Sequence, residues 1–221
     1  MDDIRLRLRK IVAQQMDQDP AHDLAHLDRV WTNAHRIARH EGGVDLRVLM
    51  AATYLHDLVN LPKDAPNRAE ASTLSAQAAE PILQSLGYEA AEIEAAQHAI
   101  AAHSFSAGIP AKSAEALILR DADRLDALGA IGIARTFIVA GAIERAIYDP
   151  SDPFAAQRDL DDQVWSIDHW HLKLLQLPND MVTAKGREIA GKRARLMLAY
   201  LEQLSKEIDT DLPDHWAALL T

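Results

Sequence analysis

From residue 2 to residue 207 the apolar side chains recur at the three-to-four-residue spacing of a buried helical face, and no stretch sustains the alternation of a strand. A chain patterned this way must bury its apolar stripes by packing helix on helix. The spacing predicts helices near residues 2–17, 23–41, 44–59, 68–86, 89–103, 112–128, 130–146, 161–177 and 181–207, with a short one near 212–220. Gly42-Gly43 and Gly87 read as helix stops. "NLPKDAPN" (60–67), "GIP" (108–110) and "YDPSDPF" (148–154) read as loops, because proline cannot continue a helix. There is no internal repeat and no low-complexity linker. The 148–154 loop is where a core at about 20–146 would part from a C-terminal helical lobe at about 160–207. A single all-α domain over 1–221 is the expectation.

Composition narrows the class. With 221 residues, 48% hydrophobic and 25% charged, the chain can bury one sizeable core. No run of 18 apolar residues suggests a membrane span. The opening "MDDIRLRLRK" lacks the apolar segment of a signal peptide. The absence of cysteine excludes disulfides and thiolate metal sites and fits a cytoplasmic setting. The formal net charge is −10, and the one basic stretch, "KGREIAGKRAR", mixes signs on a helical pattern, which argues against duplex nucleic acid as a partner. A homo-oligomer is left open.

Three stretches put polar groups where apolar ones are expected. In "AATYLHDLVN" (51–60), Val48, Ala52, Leu55 and Val59 define a buried face, and His56-Asp57 interrupts it beside the loop at 60–67. A carboxylate at a helix C-terminus opposes the helix dipole, so a cation is the natural missing partner. In "AHDLAHLDRVWTNAHRIA" (21–38), His22 and His26 lie four apart, and His26 sits at the edge of the Leu27, Val30, Ala34, Ile37 stripe. Alone it reads more readily as a structural histidine, hydrogen-bonded to a carbonyl. In "LILRDADRLDALGAIG" (117–132), Asp121 and Asp123 point about 200° apart around a helix and cannot share one ion, whereas Asp123 and Asp126 share a face. An ordinary network with Arg120 and Arg124 is the plainer reading, and periodicity does not choose among the three.

The order His26, then His56-Asp57, then Asp123 resembles the H…HD…D signature of the HD-domain metal-dependent phosphohydrolase superfamily. "HDLAHLDRVWTNA", "AATYLHD", "HSFSAG", "ILRDADRLDALGAIGIART" and the tail "WHLKLLQLPNDMVTAKGREIAGKRARLMLAYLEQL" are similar to a subgroup of small HD hydrolases acting on nucleotides or phosphate esters, over roughly residues 20–207. The resemblance implies an HD-fold helical bundle with additional C-terminal helices. It implies Asp123 as fourth ligand of one divalent ion held with His26, His56 and Asp57. Two imidazoles and two carboxylates suit Mn²⁺ first, then Fe²⁺, Co²⁺, Ni²⁺ or Zn²⁺, better than Mg²⁺ or Ca²⁺.

Phosphate requires further cations, and Lys63 and Arg68 after the HD pair, then Arg29 one turn past His26, are the candidates. Each reads otherwise as a solvated charge. His103, ending "AAHSFS", is a candidate to donate a proton or orient phosphate, and Glu70 is a weaker proton carrier. Lys185, Arg187 and Arg193 suit a solvated helix face as well as a phosphate, and His169 and His171 do not converge on a helix. The expected activity is attack of water on phosphorus, first as pyrophosphate release from a nucleoside triphosphate and second as monoester cleavage of a nucleoside monophosphate or other small phosphate. A non-catalytic HD-fold nucleotide-binding or signalling module is the reading from another class. Such modules commonly lack a ligand of the set, and here all four are present.

Overall fold

The computed structural model describes residues 2–16, 23–61, 67–104 and 106–220. Among them the structure is all-α, with α1 (Asp2–Gln15), α2 (Leu24–Glu41), α3 (Leu46–Leu55), α4 (Ala71–Ser85), α5 (Ala90–His103), α6 (Ala114–Leu125), α7 (Gly129–Ala142), α8 (Asp168–Leu172), α9 (Leu177–Asp180), α10 (Ala184–Glu207) and α11 (Asp214–Ala217). Extended pairing is limited to one isolated bridge, Ala146 with Trp165. No single helix among the described residues is long and apolar enough to cross a membrane. The chain forms two compact units, Met1–Asp123 and Arg124–Thr221. The division therefore falls inside α6 and not at the 148–154 loop.

The first unit is organised around α3. Its sequence, LRVLMAATYL, is apolar on all sides, and every residue from Val48 to Leu55 is buried, as such a helix requires. α1, α2 and α5 pack against it, and α4 packs on α5. Local chemistry fixes the ends. Asp45 caps α3 by accepting from the Arg47 and Val48 amides. Asp23 does the same for α2, which stops at Gly42, where φ is +71° and a side chain would be strained. Glu89 and Glu92 form a capping box at α5. α1 buries Leu8 and Val12, and Met16, just past its end, is buried with them. The helix is also pinned through Arg5 and Arg9, which reach the Asp28 carboxylate, while the Tyr54 hydroxyl donates to Asp28 at 2.7 Å and accepts from Arg5 Nε at 2.7 Å.

In the second unit α7 and α10 pack together. Gly132 lies so close to the Ala127 carbonyl that a Cβ could not be accommodated. Trp170, Trp216 and Phe154 are this unit's largest fully buried side chains, and both indoles are satisfied, Trp170 by Thr136 Oγ1 and Trp216 by the Phe154 carbonyl. The helix expected over 161–177 is not formed. Asp168 is fully buried and takes a bidentate ion pair from Arg158 at 2.5 and 2.9 Å, plus the Asp161 amide at 2.7 Å. Ser166 and Ile167 donate their amides to the Ala146 and Ile147 carbonyls. These bonds turn 161–167 away from a helical path, and helix resumes only in short pieces from Asp168 to Asp180.

Candidate metal centre

Four helix ends of the first unit supply a single polar cluster. His26 stands in the first turn of α2, its amide donating to Asp23 Oδ1 at 2.7 Å, and is almost wholly buried. His56 is the C-cap of α3, and Asp57 follows it. His103 is the last residue of α5. Asp123 lies in the last turn of α6. His26 Nε2 is 3.6 Å from Asp57 Oδ2 and 3.5 Å from Asp123 Oδ1. His56 Nε2 is 3.5 Å from Asp57 Oδ2 and 3.8 Å from Asp123 Oδ1. His103 Nε2 is 3.9 Å from the other Asp57 oxygen, Oδ1, and its ring meets that of His56 edge-on at 4.8 Å.

The imidazoles are oriented by the helices that carry them. His56 Nδ1–H donates to the Thr53 carbonyl at 2.8 Å, and His103 Nδ1–H to the Ile100 carbonyl at 2.6 Å. Each bond fixes the tautomer and turns the Nε2 lone pair into the cluster. His56 Nε2 is buried with no hydrogen-bond partner, since its neighbours at 3.5–3.8 Å stand beyond hydrogen-bonding range. Such a nitrogen is costly unless something else occupies the space. Separations of about 3–4 Å are those of donors that share one ion at about 2.0–2.2 Å from each.

Electrostatics agree. Burial disfavours a proton on His56, but Asp57 and then Asp123 outweigh it, and its pKa is raised above 6.5. Burial likewise opposes the charge on Asp123, but His56 and His26 hold its carboxyl down at about 2. Burial, with His56 second, lowers His103 below 6.5. The cluster draws positive charge to its centre and holds the Asp123 carboxylate ionised beside it. Donor sets His26/His56/Asp123 and His56/Asp57/His103 each have all their donor atoms within 4.8 Å of one another. The mixed nitrogen and oxygen donors fit a first-row divalent transition metal.

The remaining candidates are placed differently. Arg68, in a short 3₁₀ turn, donates Nη1 to Asn60 Oδ1 at 3.3 Å and to the Leu61 carbonyl, so it is tied to the loop that follows the HD pair. Glu70, on the same turn, is exposed. Arg29 is half-buried on α2. Lys63 and His22 lie outside the described residues. Asp121 is fully buried, and Asp126 is paired with Arg135 at 2.6 Å. Arg187 donates to the Met181 carbonyl, Arg193 to that of Leu125, and Lys185 pairs with Glu188. His169 binds Asp162 Oδ2 at 2.9 Å.

One supporting residue escaped the sequence reading. Asn33, buried seven positions after His26 on the same face of α2, donates to the Ala122 carbonyl at 3.4 Å, next to Asp123. A buried amide in an otherwise apolar stripe was the available signal.

Comparison with known proteins gives three findings. A family model described as "HD domain" matches residues 23–128. YpgQ, an uncharacterised protein of Bacillus subtilis (strain 168), is 34% identical over 197 residues, which is 87% of each chain. Among solved structures, YpgQ in complex with ADP is 32% identical with a TM-score of 0.72, over 92% of this chain and 97% of that one. An HD-superfamily hydrolase from Bacillus thuringiensis is 31% identical with a TM-score of 0.73, over 95% of this chain and 99% of that one.

Proposed function

The chain belongs to the HD-domain family, and from that premise we propose that it is a metal-dependent phosphohydrolase acting on a nucleotide. The observation that carries the reading is the buried, unpartnered His56 Nε2 facing two carboxylates and a second imidazole. His26, His56, Asp57 and Asp123 are the proposed ligands, and Mn²⁺ is the first-choice ion. A divalent cation held there, when bound, supplies Lewis acidity that makes a water more acidic and offsets negative charge on a phosphoryl oxygen.

The chain's own groups do the rest. His103 presents a lone pair at Nε2, because its Nδ1–H is committed to Ile100. It is therefore built to accept a hydrogen bond from an attacking water or a phosphate hydroxyl, and less suited to donate to a leaving group. Arg68, anchored beside the HD pair, is the proposed phosphate contact, with Lys63 and Arg29 as lesser ones. The ADP bound to YpgQ supports a nucleotide as ligand class. Within that class we take pyrophosphate release from a nucleoside triphosphate as the reaction. The complete ligand set argues against a non-catalytic module.

The test is a product-resolved hydrolysis screen of nucleoside tri-, di- and monophosphates, using chelated protein reloaded with each metal in turn. Nucleoside monophosphate plus pyrophosphate is the expected outcome. Phosphate released from monophosphates would establish monoester cleavage in its place. No turnover of any nucleotide with any metal would remove the enzymatic reading.

A further inference from the structure

The second unit gathers basic side chains that the metal chemistry does not use. Beyond α7 the chain runs alongside residues 165–167. The Ala146 carbonyl accepts from the Ser166 amide at 2.9 Å and from Ser166 Oγ at 2.7 Å, and the Ile147 carbonyl accepts from the Ile167 amide at 3.0 Å. This pairing brings Arg145 close enough to His169 of α8 for its charge to act on that imidazole. His169 Nδ1–H donates to Asp162 Oδ2 at 2.9 Å, and Lys173 Nζ, one turn further on, meets the same oxygen at 2.6 Å. Gln163 Nε2 donates to Asp162 Oδ1 at 3.0 Å, so both oxygens of this carboxylate are engaged. Arg145 is placed differently. Its Nε is buried with no hydrogen-bond partner, and no carboxylate among the described residues pairs with it. A partly buried cation without a counter-charge is costly. Two cations and an imidazole are thus gathered beside one carboxylate, in a chain whose net charge is −10.

We propose that Arg145, His169 and Lys173 form an anion site of the second unit that takes a phosphoryl group as its dianion and needs no metal. The charge balance favours a dianion. Arg145 and Lys173 against Asp162 leave one positive charge. Burial, and after it Lys173 and Arg145, disfavour a proton on His169 and hold its pKa below 6.5 against the pull of Asp162. An anion offsets both cations and lets Nε2 take that proton, since Nδ1–H is already committed to Asp162. The site then sets two net positive charges against the two negative charges of the dianion. The donors favour a tetrahedral oxyanion. A guanidinium fork, an ammonium and an imidazolium N–H reach it from three backbone positions, which a planar, singly charged carboxylate would not occupy together. The Lys173 side chain is 58% exposed, so the site opens to solvent, and screening keeps the dissociation constant on the order of 1 mM. No proposed ligand of the metal ion takes part, so this site and the metal reading stand or fall separately.

Imidazole NMR of the full chain, freed of metal by chelator, reads this out, with His169→Gln identifying the resonance. Sulfate is the first probe, because it stays a dianion across the range in which histidine titrates. The His169 signal should move saturably with sulfate, and its titration midpoint should rise to higher pH. Sodium chloride at matched ionic strength should reproduce neither change. Arg145→Gln should weaken sulfate binding by about 10-fold or more, and Arg145→Lys by less. Arg145 makes no ion pair in the fold, so its replacement breaks none. Lys173→Gln should weaken binding as well, while Asp57→Ala should bind sulfate as the wild type does. Phosphate and pyrophosphate then distinguish the source of the phosphoryl group. Equal affinities assign the site to a single phosphate, and tighter pyrophosphate assigns it to a diphosphate; either upholds the site. A His169 signal that does not respond to about 50 mM sulfate or phosphate overturns the proposal. So does a response that chloride matches, or one that survives both Arg145→Gln and Lys173→Gln.

Discussion

Asp121 and Asp123 are separated by one alanine and have opposite surroundings. Asp121 is sealed in the fold, while Asp123 opens onto His26 and His56. Helix geometry alone made them exclusive, and the structure brings Asp123 to the histidines. We expect Asp123→Asn and Asp57→Ala to lower metal affinity by more than about 100-fold, beyond what losing an outer-shell partner costs. Asp121→Asn and Asp23→Asn should keep near-stoichiometric metal by elemental analysis. Retention by Asp123→Asn with loss in Asp121→Asn would reverse the assignment. A second prediction concerns Tyr54 and Asp28. Burial pushes the Tyr54 hydroxyl up to about 12, so the folded state keeps a proton that the unfolded chain gives up near pH 10. That contribution is complete below pH 10 and vanishes as pH rises through 12. Burial opposes the charge of Asp28, but hydrogen bonds from Tyr54, Arg9 and Arg5 lower its pKa below 3.8. Its contribution is present above the ordinary carboxylate value and disappears as pH falls through the folded one. Urea titrations of Tyr54→Phe across pH 9–12, and of Asp28→Asn across pH 2–5, should each show a flatter dependence than the wild type. Slopes equal to the wild type's would mean the network titrates alike in both states.

At the scale of elements, helix stops and apolar faces were readable. Gly42 marks in the sequence where α2 ends, and periodicity supplies the faces, while the caps at Asp23 and Asp45 show in the structure. What periodicity could not show is partner choice. The 161–177 segment has helical spacing, but a buried carboxylate with an arginine ten residues upstream imposes a turn instead. For the same reason His103 was legible only as a histidine near a helix end, and Asn33 not at all, since both owe their roles to chain dozens of residues away. The proposed metal ligands could be collected only through family resemblance, because they come from three separate stretches of the chain. Gly132 belongs to this scale. A methyl there collides with the Ala127 backbone, which no rotamer change relieves. Gly132→Ala should therefore cost about 2 kcal/mol or more. A denaturation midpoint unchanged from wild type would show that the start of α7 can shift to make room.

For the molecule as a whole, a ligand that binds only the folded state raises stability by mass action, about 2.7 kcal/mol at 100 times its dissociation constant. Saturating Mn²⁺ should thus raise the thermal midpoint of the wild type and leave that of Asp57→Ala nearly unmoved. An equal rise in both would place the ion elsewhere. The positions of the donors add a consequence of another kind. The proposed ligands His26, His56 and Asp123 sit at helix termini, one at a start and two at ends. Termini are where helices fray, opening at far lower free energy than the core. An ion bound as proposed would therefore act as a stitch through three fraying ends. Chelation should be visible first in amide hydrogen exchange, faster together at the head of α2 and the tails of α3 and α6. The middle of α3, buried from Val48 onward, should keep its slow exchange throughout.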